Sequence, residues 1–486
     1  MEPYFDGVWF VRLVFQRSLA GTYLIAFIVA LNQFPALLGE KGFLPVSEFI
    51  KSVPFRNSPS IFYFHYSDKL FYAVALAGIM LSVIAIFGLS ELNGPWLSAG
   101  VWFVLWVLYL SIVNVGQTFY SFGWESMLLE AGFFACFLGP FRISAPLIPI
   151  LILRWMLFRT ELGAGLIKLR YDECWRDLTC LFYHYETQPM PNPLSWYFNL
   201  LPKFFQKSSV LFSHFVQVIV PFGLFAPKRI AAVSGGLIIF HQLWLVVSGN
   251  YSWLNWITIV LGITAFGDSV LAPVMHMSLP QASPRSAAYD GILYILLAVT
   301  IVLSIPPAVN LFSMNQLMNY NYNSLHLVNS YGAFGSITKK RYEIIIEGTE
   351  DIVLNDRTKW KEYEFKGKPG NIYRQPPQIA PYHLRLDWLM WFLPFSVNVT
   401  DRGVAVPGYE PWFLKFMQKL LEGDKKTLKL LRENPFKEAP PQYIRARFYL
   451  YKYTTWQERE KTGAWWKRNL IGEYLSPVKL SDLKGL

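Results

Sequence analysis

Apolar runs near the ~20 residues that span a bilayer recur along the first 310 residues, near 18–38, 70–90, 96–117, 124–140, 145–169, 209–226, 230–248, 251–268 and 289–310. The pattern predicts a polytopic α-helical membrane protein with about nine apolar helices, the shorter ones re-entrant or tilted, because hydropathy sets span length and not tilt. An odd number of spans places the two termini on opposite sides.

From about Leu311 the runs shorten, charges rise and strand-like alternation appears. RYEIIIEGTED and WKEYEFKGKPG read as strands followed by turns, with Tyr363 and Phe365 alternating against Glu362, Glu364 and Lys366. YIRARFYLYKY sets Ile444, Ala446, Phe448 and Leu450 against Arg445 and Arg447, another strand. Between them HLRLDWLMWFLPF is apolar enough to lie on the membrane surface, and PWFLKFMQKLLEGDKKTLKLLREN reads as two short helices broken at Gly423. The expected organisation is a multi-helix membrane core over 1–310 with an external loop at 170–208, then a C-terminal extramembrane α+β domain over 311–486. That domain is near a typical size.

Composition agrees: with 53% hydrophobic and 16% charged residues the chain lies outside the usual globular range. Its net charge of +11 raises nucleic acid as a partner, but the basic residues are dispersed beside the apolar runs and no recognition motif accompanies them, so none is expected. Short cytoplasmic loops carry Lys and Arg. A cytoplasmic N-terminus puts Arg12, Arg17, Arg142, Lys228, Arg229 and Arg285 there, with Lys51, Arg56 and Lys69 pulling weakly the other way. The loop 170–208 and the C-terminal third then face outside. Met1 to Asp6 lack the basic start, short apolar core and cleavage site of a signal peptide, so the first spanning helix is expected to direct targeting.

Three cysteines are too few for a disulfide scaffold and lack zinc spacing, so no metal is expected. Cys174 and Cys180 stand in the external loop, where oxidation is permitted, and Cys136 lies in an apolar helix. The pair is either a disulfide or two reduced, packed thiols.

Candidate chemistry gathers around one run. LILRWMLFRTELGAGLIKLR holds Arg154, Glu161 and Lys168 at seven-residue intervals, a drift of about 20° per step, so they share a helix face. Ionisable groups in a membrane segment are costly and turn toward each other or a wet cavity, which is the functional reading. In the structural reading Arg154 and Lys168 snorkel to opposite interfaces, while Glu161 bonds a neighbouring helix through Arg159 or Arg154. Glu125 and Glu130 in FGWESMLLEAGFF are candidate partners for these cations. His241 in FHQLWLVVSGNYSWLNW is an acid, base or ligand, or a plain hydrogen-bonded core histidine.

The loop YDECWRDLTCLFYHYETQPMPNPLSWY adds Trp175, Arg176, Asp177, His184, Tyr185 and Glu186, closed by prolines that forbid a continuous helix. It suits a rigid cap on the membrane face. No hydrolase triad, Walker loop or dinucleotide fingerprint occurs, and no cofactor is expected, with a bound lipid left open. Of the sequons Asn250-Tyr-Ser and Asn398-Val-Thr, only Asn398 sits in the expected soluble domain, and its use needs a secretory lumen.

FGWESMLLEAGFF, GAGLIKLRYDECWRDLTCLFYHYETQPMPNPLSWY, LVVSGNYSWLNW, RYEIIIEGTED and APYHLRLDWLMWF, in that order, closely resemble the lipase maturation factor family over nearly the whole chain. The resemblance implies an endoplasmic reticulum membrane chaperone that helps secreted homodimeric lipases fold and assemble, its lumenal loops and lumenal C-terminal domain meeting the client. Lipases and membrane lipids are the implied partners. Trp360, Tyr363, Trp388, Trp391 and Trp412 are candidate client contacts, with core packing or membrane anchoring as the alternative. The start lacks the animal factors' longer extension and the end, KLSDLKGL, lacks a retention signal. A bacterial inner membrane with a periplasmic domain is therefore the alternative location.

AGLIKL, followed by an acid and Trp175, is also similar to a segment of vitamin K-dependent γ-glutamyl carboxylase, Lys168 falling where that family has its active lysine. The implied alternative is a membrane-embedded carboxylase-like enzyme with Lys168 as base and His241 as a second candidate. That likeness covers the helical core only, without an evident counterpart of the carboxylase's large lumenal part, so a non-enzymatic factor is expected. A transporter using Arg154, Glu161 and Lys168 lacks the paired interrupted helices of inverted repeats.

Overall fold

The computed structural model describes residues 6–92, 94–279, 281–400 and 403–483. Met1–Phe5 and the last three residues of KLSDLKGL, on which the terminal expectations rest, lie outside them. A helical bundle is built from α1 (Trp9–Leu37), α2 (Asp68–Ile86), α3 (Pro95–Asn114), α4 (Gly123–Ala135), α5 (Leu147–Arg170), α6 (Lys203–His214), α7 (Lys228–Ser248), α8 (Leu254–Ile263), α9 (Asp268–Met275), α10 (Ala287–Leu303) and α11 (Ile305–Phe312). On α2, Phe71, Val74, Ala75 and Gly78 face the bundle, while Tyr72, Leu76, Met80 and Val83 are exposed. Hydrocarbon accepts such a face, because a helix satisfies its own backbone and need present only apolar side chains to lipid.

Among the described residues six helical segments are long and apolar enough to cross a membrane, or seven if α8 and α9, which meet at 108°, form one bent span. The expected runs at 124–140 and 145–169 fall outside that set. α4 has only 13 residues, about 20 Å at 1.5 Å per residue, short of a hydrocarbon core of roughly 30 Å. α5 has 24 residues, but Arg154, Arg159, Glu161 and Lys168 make it too charged, and most of it is buried by other helices.

At one end of the bundle the connections interlock. Trp9 Nε1 donates to the Phe141 carbonyl (2.7 Å), Phe10 N to Asp268 Oδ1 (2.8 Å) and Tyr289 Oη to the Phe137 carbonyl (2.7 Å), while Arg17 pairs with Glu91. Arg12, Arg142, Lys228, Arg229 and Arg285 lie at this end too.

The opposite end carries residues 170–208 and the C-terminal region. There β1 (Arg341–Thr349), β2 (Lys361–Glu362), β5 (Tyr443–Tyr453) and β6 (Trp466–Val478) form an antiparallel sheet in the order β2-β1-β5-β6, beside the hairpin of β3 (Asn398–Thr400) and β4 (Gly403–Ala405). β1 and β5 pair in unbroken register from Arg341↔Tyr451 to Thr349↔Tyr443. Both faces are covered: Ile344, Ile346, Ile444, Ala446 and Phe448 join the main core, and Ile345, Tyr449, Tyr451 and Tyr453 join a second. Trp196 of the 170–208 loop belongs to that second core, donating Nε1 to the Thr454 carbonyl at 2.9 Å. Loop and sheet thus share one interior.

HLRLDWLMWFLPF does not lie on the membrane surface. It forms α12 (Arg385–Phe392), whose residues through Met390 are buried, because Arg385 finds its counter-ion inside the bundle at Glu125. α13 (Pro411–Leu421) follows, and Gly423, at φ +65°, takes the left-handed conformation that turns the chain before the short helix Lys425–Leu428.

Candidate functional site: a cavity beneath the cap

Pro221 has no N–H to give to the turn before it. α6 therefore runs on through a π-turn at Phe215–Ile219 into a 3₁₀ turn at Val220–Phe225, and π-turns are rare and favour functional sites. Gly165 of α5 lets this turn approach, since a Cβ there would lie 2.7 Å from Val218 Cγ2 and 3.0 Å from Gln217 Cβ. The approach sets Gln217 between the two charged groups of α5. Lys168 Nζ donates to Gln217 Oε1 (2.6 Å), and Gln217 Nε2 donates to Glu161 Oε2 (3.2 Å). Gln242 Nε2 of α7 donates to Glu161 Oε1 (2.7 Å), and Asn255 Nδ2 of α8 to Gln242 Oε1 (2.7 Å).

This polar relay walls a cavity of about 1250 Å³, above the roughly 300–1,000 Å³ that accepts drug-sized ligands. Glu161, Lys168, His241, Gln217 and Gln242 line its polar part; Phe205, Phe212, Phe240 and Trp244 line an apolar part, and it extends beneath Trp388, Trp391, Phe395 and Trp412. Among the described residues His241 Nδ1 is buried without a partner.

The cap closes over Lys168. Trp175 lies with its ring centroid 5.0 Å from Lys168 Nζ and donates Nε1 to the Phe334 carbonyl at 2.8 Å. Cys174 and Cys180 form a disulfide that staples the turn holding Trp175. His184 Nε2 and Tyr251 Oη are 2.8 Å apart, and Tyr251 Oη donates to Gln188 Oε1 at 2.6 Å. Burial, helped by the charge of Lys168, pushes the His184 imidazole down to about 3. His184 is therefore neutral, and its Nε2–H is the donor to Tyr251.

The remaining charges serve elsewhere. Arg154 Nε donates to the Thr264 carbonyl (2.6 Å) and Nη2 to that of Phe266 (3.4 Å), a cation at the carbonyl end of α8. Arg159 pairs with Glu130, which also accepts from Asn329 N (2.9 Å) and Tyr331 Oη (2.7 Å). Glu125 pairs with Arg385 at 2.8 Å and accepts from Tyr109 Oη. Glu161 is bonded through glutamines and not through Arg159 or Arg154, and neither Glu125 nor Glu130 reaches Lys168 or Arg154.

Comparison with known proteins matches both halves of this arrangement. The profile of the lipase maturation factor transmembrane domain matches residues 10–273, and that of the lipase maturation factor C-terminal domain residues 327–476. The chain belongs to the lipase maturation factor family. Lipase maturation factor 1 of Mus musculus is 40% identical, over 98% of this chain and 88% of its own length; that of Homo sapiens is 39% identical, over 98% and 89%. Lipase maturation factor 2 of Xenopus tropicalis is 29% identical, over 97% and 82%. No solved structure matches the chain.

Within this family member the candidate client aromatics divide by burial. Tyr363, Trp388 and Trp412 are buried, so core packing removes them from any surface a client meets. Trp360 is half-buried beneath Arg445, and Trp391, also half-buried, donates Nε1 to the Thr187 carbonyl at 2.9 Å. In the cap, Arg176 and Asp177 are exposed, Tyr185 is buried, and Glu186 Oε2 accepts from Tyr453 N at 2.8 Å. Asn398 is exposed on β3, whereas Asn250 is buried, its Oδ1 accepting from Ile379 N and Ala380 N, both at 2.8 Å. Asn250 therefore pins the C-terminal region to the bundle, and its sequon is closed to an enzyme acting on the folded protein. Asn329, Tyr331 and Arg385 were not expected as site residues; the only hint was the surplus of carboxylates in apolar runs.

Proposed function

We propose that this multi-pass membrane protein is a maturation factor for secreted lipases that work as homodimers, holding folding subunits against its external face in the lumen of the endoplasmic reticulum. The observation that carries the reading is the alignment with proteins named lipase maturation factor 1 over 98% of the chain, bundle and C-terminal region alike. Counting α4, α5 and the bent pair, nine membrane-embedded segments make up the core. The end rich in Arg12, Arg17, Arg142, Lys228, Arg229 and Arg285 is the cytoplasmic one by the bias of basic loops, which puts the sheet in the lumen.

The external face is built as a platform and not as a tethered module, since Arg385, Asn250 and Trp196 lock sheet, cap and bundle together. It offers apolar surface to a client that has not finished burying its own: Ile352 is 76% and Val353 71% exposed on the β1–β2 connection. A carboxylase-like enzyme is the second reading, favoured by Lys168 and His241 lining one cavity.

Co-expression of a dimeric lipase in cells lacking their own maturation factor tests the proposal. Wild type and Lys168→Met are expected to restore secreted specific activity, and Ile352→Asp with Val353→Asp to fail. Rescue lost with Lys168→Met in a folded protein favours the enzyme, and no rescue by wild type refutes the client assignment. Truncation after Leu311 is a poor control, because it strips Asn329 and Tyr331 from Glu130 and Arg385 from Glu125, leaving buried carboxylates without their partners.

A further inference from the structure

Lys168 is buried, at 6% exposure, yet its Nζ makes one hydrogen bond, to Gln217, and has no carboxylate within ion-pair distance among the described residues. An ammonium carries three donors, so two N–H groups are left over. Glu161 is the acid of the same relay, but both its oxygens are already engaged, by Gln217 and Gln242. Buried ammonium N–H groups without acceptors are a costly arrangement, in membrane above all. His241 Nδ1 is a second buried polar atom on this cavity without a partner among the described residues. The polar part of the cavity thus holds spare hydrogen-bonding groups that a small anionic head would take up.

The rest of the cavity says what that anion is attached to. Phe240 and Trp244 of α7 line it with much of their rings uncovered, at 54% and 37% exposure. Ser209 of α6 lines it too. Among the described residues no arginine lines it, and arginine is the residue suited to bidentate capture of phosphate. Two ammonium N–H groups and one imidazole nitrogen match a two-oxygen head.

We propose that the cavity binds a long-chain fatty acid from the surrounding membrane, entering between α6 and α7, with its carboxylate held by Lys168 and His241. The proposal stands independently of the lipase client.

The test uses the purified full chain in phosphatidylcholine nanodiscs, with tritiated oleate as probe and native mass spectrometry for stoichiometry. One oleate per chain is expected, bound saturably; Lys168→Met should weaken it at least tenfold while Lys168→Arg retains it, and methyl oleate, lacking the anionic head, should compete at least tenfold less well. Ser209→Trp, which obstructs the proposed entry between α6 and α7 and leaves the polar relay intact, should also abolish binding, and it decides the matter if Lys168→Met fails to fold. Oleate binding that is non-saturable, equal in folded Lys168→Met or Ser209→Trp, or equalled by methyl oleate would overturn the proposal. So would a co-purifying phospholipid that oleate cannot displace.

Discussion

Replacing Arg385 with methionine removes the positive half of an ion pair in which neither partner sees solvent: Arg385 and Glu125 side chains are both 0% exposed and 2.8 Å apart. The guanidinium also donates to the Phe119 carbonyl at 2.7 Å and lies 3.4 Å from the centroid of the Tyr120 ring. Breaking a buried pair from one side costs about 3–5 kcal/mol, because the orphaned charge stays buried; loss of the desolvated cation–π contact adds about 2 kcal/mol. Against a total stability of roughly 5–15 kcal/mol, that is enough to loosen the C-terminal region from the bundle. Thermal unfolding in nanodiscs with tryptic accessibility of the 377–395 segment should report a large loss in Arg385→Met. Glu125→Gln combined with Arg385→Met should be less unstable than the two singles added, by on the order of 2 kcal/mol. A single variant costing less than ~1 kcal/mol, or strict additivity in the cycle, would refute the claim that this pair anchors platform to bundle.

Cys174→Ser, Cys180→Ser and the double variant should each lose about 2–3 kcal/mol, the scale for a short closed loop; quantitative labelling of thiols other than Cys136 in the non-reduced protein would contradict the staple. His184 titrates near 3 in the fold, pushed down by burial and the charge of Lys168, against about 6.5 in the unfolded chain. The unfolded chain takes up the proton first, so stability is constant above pH ~6.5 and falls with acid toward ~3, by roughly 2 kcal/mol at pH 5. His184→Gln should flatten that limb, and an unchanged pH profile would count against it. Ile352→Asp with Val353→Asp should lower secreted lipase activity several-fold with an unchanged melting temperature; full lipase activity would remove the client from this surface.

Hydropathy alone reports what lipid touches, which explains where the pattern spoke clearly. α2, with one face in lipid and one in the bundle, is apolar throughout and was evident from sequence. α4 and α5 lie within the bundle, so α4 need not reach across the bilayer and α5 can carry five ionisable groups whose partners come from distant segments. Glu130 is satisfied by Asn329 and Tyr331, and Glu125 by Arg385. No spacing rule connects positions so far apart. β5 alternates in sequence, with Ile444, Ala446, Phe448 and Leu450 against Arg445 and Arg447, while β1 shows as a short β-branched run because both its faces are covered. β6 was missed because most of its residues are at least partly exposed and its pairing with β5 shifts register between Ile444 and Tyr449, which blurs a period of two. Glu161 and Lys168 were visible as a pair on one face, while the glutamines joining them were not, since neutral amides leave no mark in a charge pattern.

The most direct test of the central claim is the specific activity of a homodimeric lipase secreted from cells that lack their own maturation factor and express this chain. The account predicts recovery of active, dimeric lipase with the wild-type chain. Secretion that remains inactive despite a folded, correctly inserted protein would contradict it.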